Sequence, residues 1–79
     1  MSIRVQLFAA LADFAGVRET EIQYSAGIRC ADVWSQMRVR FPRFSGIPPL
    51  FARHDEYIHP ETELKDGDFL MIFPPVSGG

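Results

Sequence analysis

The sequence predicts an α+β domain, a mixed sheet packed on one main helix, with a flexible C-terminal Gly-Gly tail. Three features carry that expectation: period-two hydrophobic alternation on both sides of a short helix-forming stretch, an amphipathic segment over 30–41, and an apolar run at 69–73 behind a turn signal.

Ile3, Val5 and Leu7 alternate with Arg4 and Gln6, the pattern of a strand with one face on a core, and Phe8 falls on the opposite face. Residues 9–15 then switch to good helix formers, and Gly16 stands where a left-handed residue would end a short helix. Thr20, Glu21, Ile22, Gln23 and Tyr24 alternate again before Ser25-Ala26-Gly27, which reads as a second strand antiparallel to the first. Cys30, Val33, Trp34, Met37 and Phe41 recur at helical spacing, Arg38 and Arg40 lie towards the C-terminal end, and Pro42 closes the segment. No Ser, Thr or Asn directly precedes Cys30, so the start of this main helix has no evident cap.

Pro42, Gly46, Pro48 and Pro49 exclude regular helix or central strand from 42–49, which reads as a loop over the surface. Residues 50–53 and 56–58 have the character of short strands, and 59–64 that of a turn with room for a 3₁₀ segment. Asp66-Gly67-Asp68 is a turn signal, and the run 69–73 that follows is apolar on both faces. Such a strand belongs in the middle of a sheet, or is half covered by another molecule. Leu70 and Ile72 share one face and Phe69, Met71 and Phe73 the other, so one set should meet the main helix. A helix gripped by a mixed sheet whose last strand lies beside its first is the β-grasp, or ubiquitin-like, architecture. The domain spans 1–74 and the tail 75–79.

A chain of 79 residues has room for one domain. Eight Lys+Arg against ten Asp+Glu, a formal charge of −2, leave no basic footprint for nucleic acid and no polybasic segment for a membrane. The hydrophobic fraction of 47%, with seven Phe, supplies a core and a surplus of apolar surface that calls for a partner. One cysteine rules out an internal disulfide and fits a reducing compartment, so a cytoplasmic location is expected. The N-terminus lacks the apolar stretch of a signal peptide, and no segment approaches the ~20 apolar residues of a membrane span.

Cys30 reads as a small core residue in preference to a reactive thiol, and Trp34 as core. His54 and His59, beside Asp55 and Glu61, read as solvated side chains, and no metal site is expected. Paired carboxylates, a nucleophile with a base and a glycine-rich phosphate loop are all missing, which argues against a catalytic centre in the chain itself.

The segment Leu64-Lys65-Asp66-Gly67-Asp68 and the terminal Ile72-Phe73-Pro74-Pro75-Val76-Ser77-Gly78-Gly79, supported by Val5-Gln6-Leu7-Phe8-Ala9, resemble the small subunit of molybdopterin synthase. These MoaD-like sulfur carriers group with the thiamine sulfur carrier in a ubiquitin-like superfamily. The ending Pro-Pro-Val-Ser-Gly-Gly is the part that leans towards molybdopterin. The chain departs from the family pattern at Arg53 and His54, where a hydrophobic residue and Asn would be expected before Glu56-Tyr57.

The resemblance implies that Gly79 is adenylated and thiocarboxylated, that Gly78 threads the tail into active sites, and that the sulfur passes to a pterin precursor to form a dithiolene. It implies three partners: the synthase large subunit in a hetero-oligomer, an E1-like adenylating enzyme, and a sulfur donor protein. ATP would be used by the activating enzyme, with no cofactor bound to the carrier. The chain would then be a non-catalytic, sulfur-donating subunit. Glycines without side chains suit a narrow channel, and from Pro75 to Gly79 the extended reach is roughly 17 Å. Pro74-Pro75 stiffens the exit. Phe8, Tyr57 and Phe73, with Pro74, Pro75 and Val76, form the expected docking surface. Delivery of sulfur to thiamine or another thiolated metabolite, a protein modifier joined through Gly79, and a plain interaction module remain the competing readings.

Overall fold

The final apolar run forms the strand β5 (Phe69–Phe73), which runs parallel to β1 (Ser2–Leu7) with Val5 opposite Leu70 and Leu7 opposite Ile72. This computed structural model describes residues 1–75. Around the β1–β5 pair the other elements follow in chain order: α1 (Ala10–Ala15), β2 (Glu19–Gln23), α2 (Cys30–Arg40), a 3₁₀ turn (Pro42–Phe44), β3 (Leu50–Arg53) and β4 (Glu56–Ile58). The sheet order is β2-β1-β5-β3-β4, with every pairing antiparallel except β1 with β5. The expected mixed sheet with a central last strand is therefore present.

Period two places Ile3, Val5 and Leu7 of β1 and Leu70 and Ile72 of β5 on one face, and all five are buried. They pack into a single cluster with Cys30, Val33, Trp34 and Met37 of α2, Leu11 of α1, and Phe51 of β3. Helix α1 stops as its sequence predicts: Gly16 has φ 75° and its N–H donates to the Ala12 carbonyl. Helix α2 starts by a device that the residue before it conceals. Arg29 is extended, and its backbone N–H donates to Asp32 Oδ2 at 2.9 Å, so the third helical residue supplies the carboxylate half of a capping box.

The segment 42–49 corrects the expectation of a surface loop. Regular α-helix and strand are absent there, as the prolines require, but the 3₁₀ turn drives Phe44 into the core with no exposed area. Its ring stacks on Trp34 at 5.2 Å and leans on Phe41 at 5.3 Å. Proline content reports where regular backbone hydrogen bonding ends; it does not report whether one aromatic turns inward. Residues 59–64 form a turn without a 3₁₀ helix, tied back by an isolated bridge between Arg29 and Glu63.

Truncating a fully buried Phe leaves a cavity and costs about 3–5 kcal/mol, whereas a surface-loop substitution stays within about 0.5 kcal/mol. Phe44→Ala is expected to fall in the first range in urea unfolding, and a value in the second would contradict the packing described.

Candidate functional site

The face of β5 turned away from α2 carries Phe69, Met71 and Phe73. Register brings the rest of the face to them: Gln6 lies opposite Met71 on one side, while Ala52 and Leu50 lie opposite Met71 and Phe73 on the other. Tyr57 of β4 pairs with Ala52 and extends the same face. Tyr57 is 70% exposed, Phe69 44% and Leu50 36%, an amount of open apolar surface that is unusual to group on one side of a small sheet.

At the end of β5 the three aromatic residues expected to dock come together. The rings of Phe8 and Phe73 stack with centroids 4.2 Å apart and planes 14° apart, and Tyr57 meets Phe73 edge-on at 6.2 Å. The Phe8 N–H donates to the Ile72 carbonyl at 3.2 Å, which carries the β1–β5 ladder one step past the end of β1. Pro74, half-buried, and Pro75, exposed, follow directly. Val76, Gly78 and Gly79 lie outside the described residues.

Acidic and polar groups border the apolar surface. Asp55 and Glu56 line a hollow with Tyr57, Met71 and Phe73, and Asp55 with His54 and Gln6 lines a second beside Phe69. These residues sit on the β3–β4 hairpin, whose two central residues, His54 and Asp55, have φ of 54° and 63°. That is the requirement of a type I′ turn, where Asn and Gly are favoured, so His54 holds a conformation better suited to Asn. Arg53, the neighbouring residue, has a definite partner. Its guanidinium meets Asp68 Oδ2 at 2.8 Å, and the same oxygen accepts the Lys65 N–H at 2.8 Å, tying the hairpin to the turn that precedes β5.

Cys30 is buried at the start of α2, and burial above all pushes its thiol up to about 11, against a smaller opposing effect of the Arg53 charge. A thiol held protonated in the core is a packing group. His59 Nδ1 accepts the Glu61 N–H, and Glu61 pairs with Arg29 at 3.2 Å. Among the described residues no three His, Cys, Asp or Glu side chains are grouped so as to hold a metal ion. No helix among them is long and apolar enough to cross a membrane.

The open apolar face thus ends at Phe73, from which Pro74 and Pro75 leave the sheet. The ThiS family pattern matches residues 5–79. The chain belongs to the ThiS family. A molybdopterin synthase sulfur carrier subunit from Chlamydomonas reinhardtii is 35% identical over 83 residues, covering all of both chains. Among solved structures, a Pyrococcus furiosus protein described as subunit 1 of a molybdopterin converting factor superposes with a TM-score of 0.84 at 30% identity, over 96% of this chain and 99% of that one. SAMP1 from Haloferax volcanii reaches the same TM-score, 0.84, at 26% identity over the whole of both chains. The fold recurs at 24% identity and a TM-score of 0.64 in a complex of subunits 1 and 2 of molybdopterin-converting factor from Helicobacter pylori, over all of both chains. These neighbours share the ubiquitin-like β-grasp of this ThiS family member.

Two residues of the site escape sequence reading. Leu50 joins the open face because it pairs with Phe73, a register that no local pattern encodes. Ala9 holds a backbone conformation foreign to alanine, with φ 52° and ψ −130°.

Cys30 yields a pH test. Its native pKa lies above the ordinary thiol value of 9, so the unfolded chain loses the proton first as pH rises. The stability that this group contributes is complete below pH 9 and declines as pH climbs towards about 11. Cys30→Ala is expected to flatten the decline in that window, read as the difference between wild-type and variant unfolding curves. Identical pH profiles would contradict the assignment.

Proposed function

We propose that this ThiS family protein is the sulfur carrier subunit of a molybdopterin synthase, with the carboxylate of Gly79 as the group that is activated and loaded. The observation that carries the reading is the aromatic cluster of Phe8, Phe73 and Tyr57 at the root of the Pro-Pro-Val-Ser-Gly-Gly segment. The likeness to a curated sulfur carrier over the full length of both chains supports it.

A carboxylate is a poor electrophile because its charge is delocalised over both oxygens. Attack of one Gly79 oxygen on the α-phosphorus of ATP, with departure of pyrophosphate, converts it to an acyl-adenylate. The terminal sulfur of a donor protein's persulfide then attacks the acyl carbon and displaces AMP, giving an acyl disulfide. A second thiol of the loading machinery attacks the donor sulfur, breaks the S–S bond, and releases the Gly79 thiocarboxylate as the two donor sulfurs join in a disulfide. ATP is a substrate of the adenylating enzyme in this scheme and has no site on the carrier. The loaded terminus next enters the synthase large subunit and gives its sulfur to a pterin precursor. Both steps take the terminus into another protein, a path that the absence of side chains on Gly78 and Gly79 suits, with residues 1–74 as the proposed docking body. The cytoplasm is the proposed location, in keeping with a single thiol that forms no internal disulfide.

The open face accounts for partner binding. Tyr57 stands 70% exposed beside Phe73, and an apolar side chain that becomes fully buried gains on the order of 1.5–3 kcal/mol. A modifier function through Gly79 is the second reading, favoured by the likeness of the fold to SAMP1. Both readings share activation of Gly79, and they differ in the acceptor.

Incubation with adenylating enzyme, ATP and a sulfur donor is expected to add, by intact mass, the difference between sulfur and oxygen to the wild-type chain. It should add nothing to a chain lacking Gly79 or extended beyond it, and a truncated or extended chain that still loads would refute the assignment of the reacting group. Tyr57→Glu and Phe73→Asp are each expected to weaken calorimetric binding to the large subunit by roughly tenfold or more. Unchanged affinity in both would remove this face from the interface.

A further inference from the structure

Ala9 occupies backbone space that is normally glycine's. The Leu11 N–H donates to the Phe8 carbonyl at 3.1 Å, so residues 8–11 close a turn, and Ala9 takes its first central position with φ 52° and ψ −130°. Those are the dihedrals of a type II′ turn, where a Cβ crowds the adjoining peptide and glycine is the residue of choice. A side chain persists there only where the surroundings over-determine the backbone, and such strain concentrates at functional joints.

The surroundings that hold Ala9 are those of Phe8. The Phe8 N–H is bound to Ile72, its carbonyl to Leu11, and its ring lies flat on Phe73 at 4.2 Å. Phe73 is thereby held on three sides: Phe8 on its ring face, Tyr57 at its edge, and Leu50 through strand pairing. It is also the last residue of β5, and Pro74 and Pro75 leave from it with φ fixed by their rings. Whatever fixes Phe73 therefore aims the first rigid step of the tail.

We propose that Phe8 is a positioning residue for activation of Gly79: held by the strained Ala9 backbone, its ring pins Phe73 and so sets the direction in which Pro74 and Pro75 leave the sheet. This rests on the sulfur-carrier reading. It differs from a docking role in what it costs to remove. Lost docking area weakens encounter with the partner and raises KM, whereas a misdirected tail leaves encounter intact and lowers the rate at which the Gly79 oxygen reaches the α-phosphorus of ATP. In that step the new phosphorus–oxygen bond forms as the bond to pyrophosphate breaks, and no oxidant or reductant enters.

The test is ATP–pyrophosphate exchange with the source organism's adenylating enzyme, using the full-length chain as the varied substrate. Phe8→Leu keeps apolar bulk but loses the flat ring; Phe8→Tyr keeps the ring. The expected result is a fall in kcat of roughly tenfold for Phe8→Leu, with KM within about twofold of wild type and kcat restored in Phe8→Tyr. A raised KM at unchanged kcat, or no change in either, overturns the proposal. Should Phe8→Leu fail to fold by circular dichroism, Ala9→Gly decides: relief of the strained joint is expected to raise Tm while lowering kcat at unchanged KM, and an unchanged kcat overturns the proposal. A wild-type chain that supports no exchange overturns the carrier reading itself, an outcome distinct from all of these.

Discussion

The parallel pairing of β5 with β1 is the constraint on which the rest of the molecule depends. It places an all-apolar strand between two neighbours, satisfies its backbone on both edges, and leaves its two faces to separate tasks. Leu70 and Ile72, both without exposed area, close the core against α2. Phe69, Met71 and Phe73 face outward and form the open surface. A shift of one residue in this register would exchange the two sets, exposing the core and burying the open face.

That division explains why so small a domain can afford exposed aromatic residues. The core is complete without them: α2, α1 and the inward-turned Phe44 fill the concave side, and no buried side-chain polar atom among the described residues lacks a partner. The open face is available for association because folding does not consume it. The same strand that anchors the core ends at Phe73, so in the proposed function docking of the face and delivery of the terminus are joined through that residue.

Much of this was legible in the sequence because it rests on local periodicity. Alternation in β1 and β2, helical spacing from Cys30 to Met37, and the two apolar faces of residues 69–73 each follow from geometry that a single strand or helix imposes on its own residues. The Gly-Gly ending and its stiff Pro-Pro approach were legible as motif. What stayed hidden depends on contacts across the fold. Phe44 turns inward because Trp34 and Phe41 offer it a stacking surface, Arg29 begins α2 because Asp32 reaches back to its N–H, and Leu50 joins the site through pairing with Phe73. Ala9 was the hardest, since alanine signals helix and nothing in its neighbours announces a positive φ.

The central claim is that this chain carries sulfur to a pterin. Its most direct measurement is a single-turnover assay in which the thiocarboxylated chain, free of sulfur donor and ATP, is mixed with the purified synthase large subunit and the pterin precursor. The expected result is dithiolene-bearing pterin, with two chains returned to their carboxylate mass for each dithiolene formed. A chain that keeps its sulfur while the precursor stays unchanged, or whose terminus reappears joined to a lysine of another protein, would contradict it.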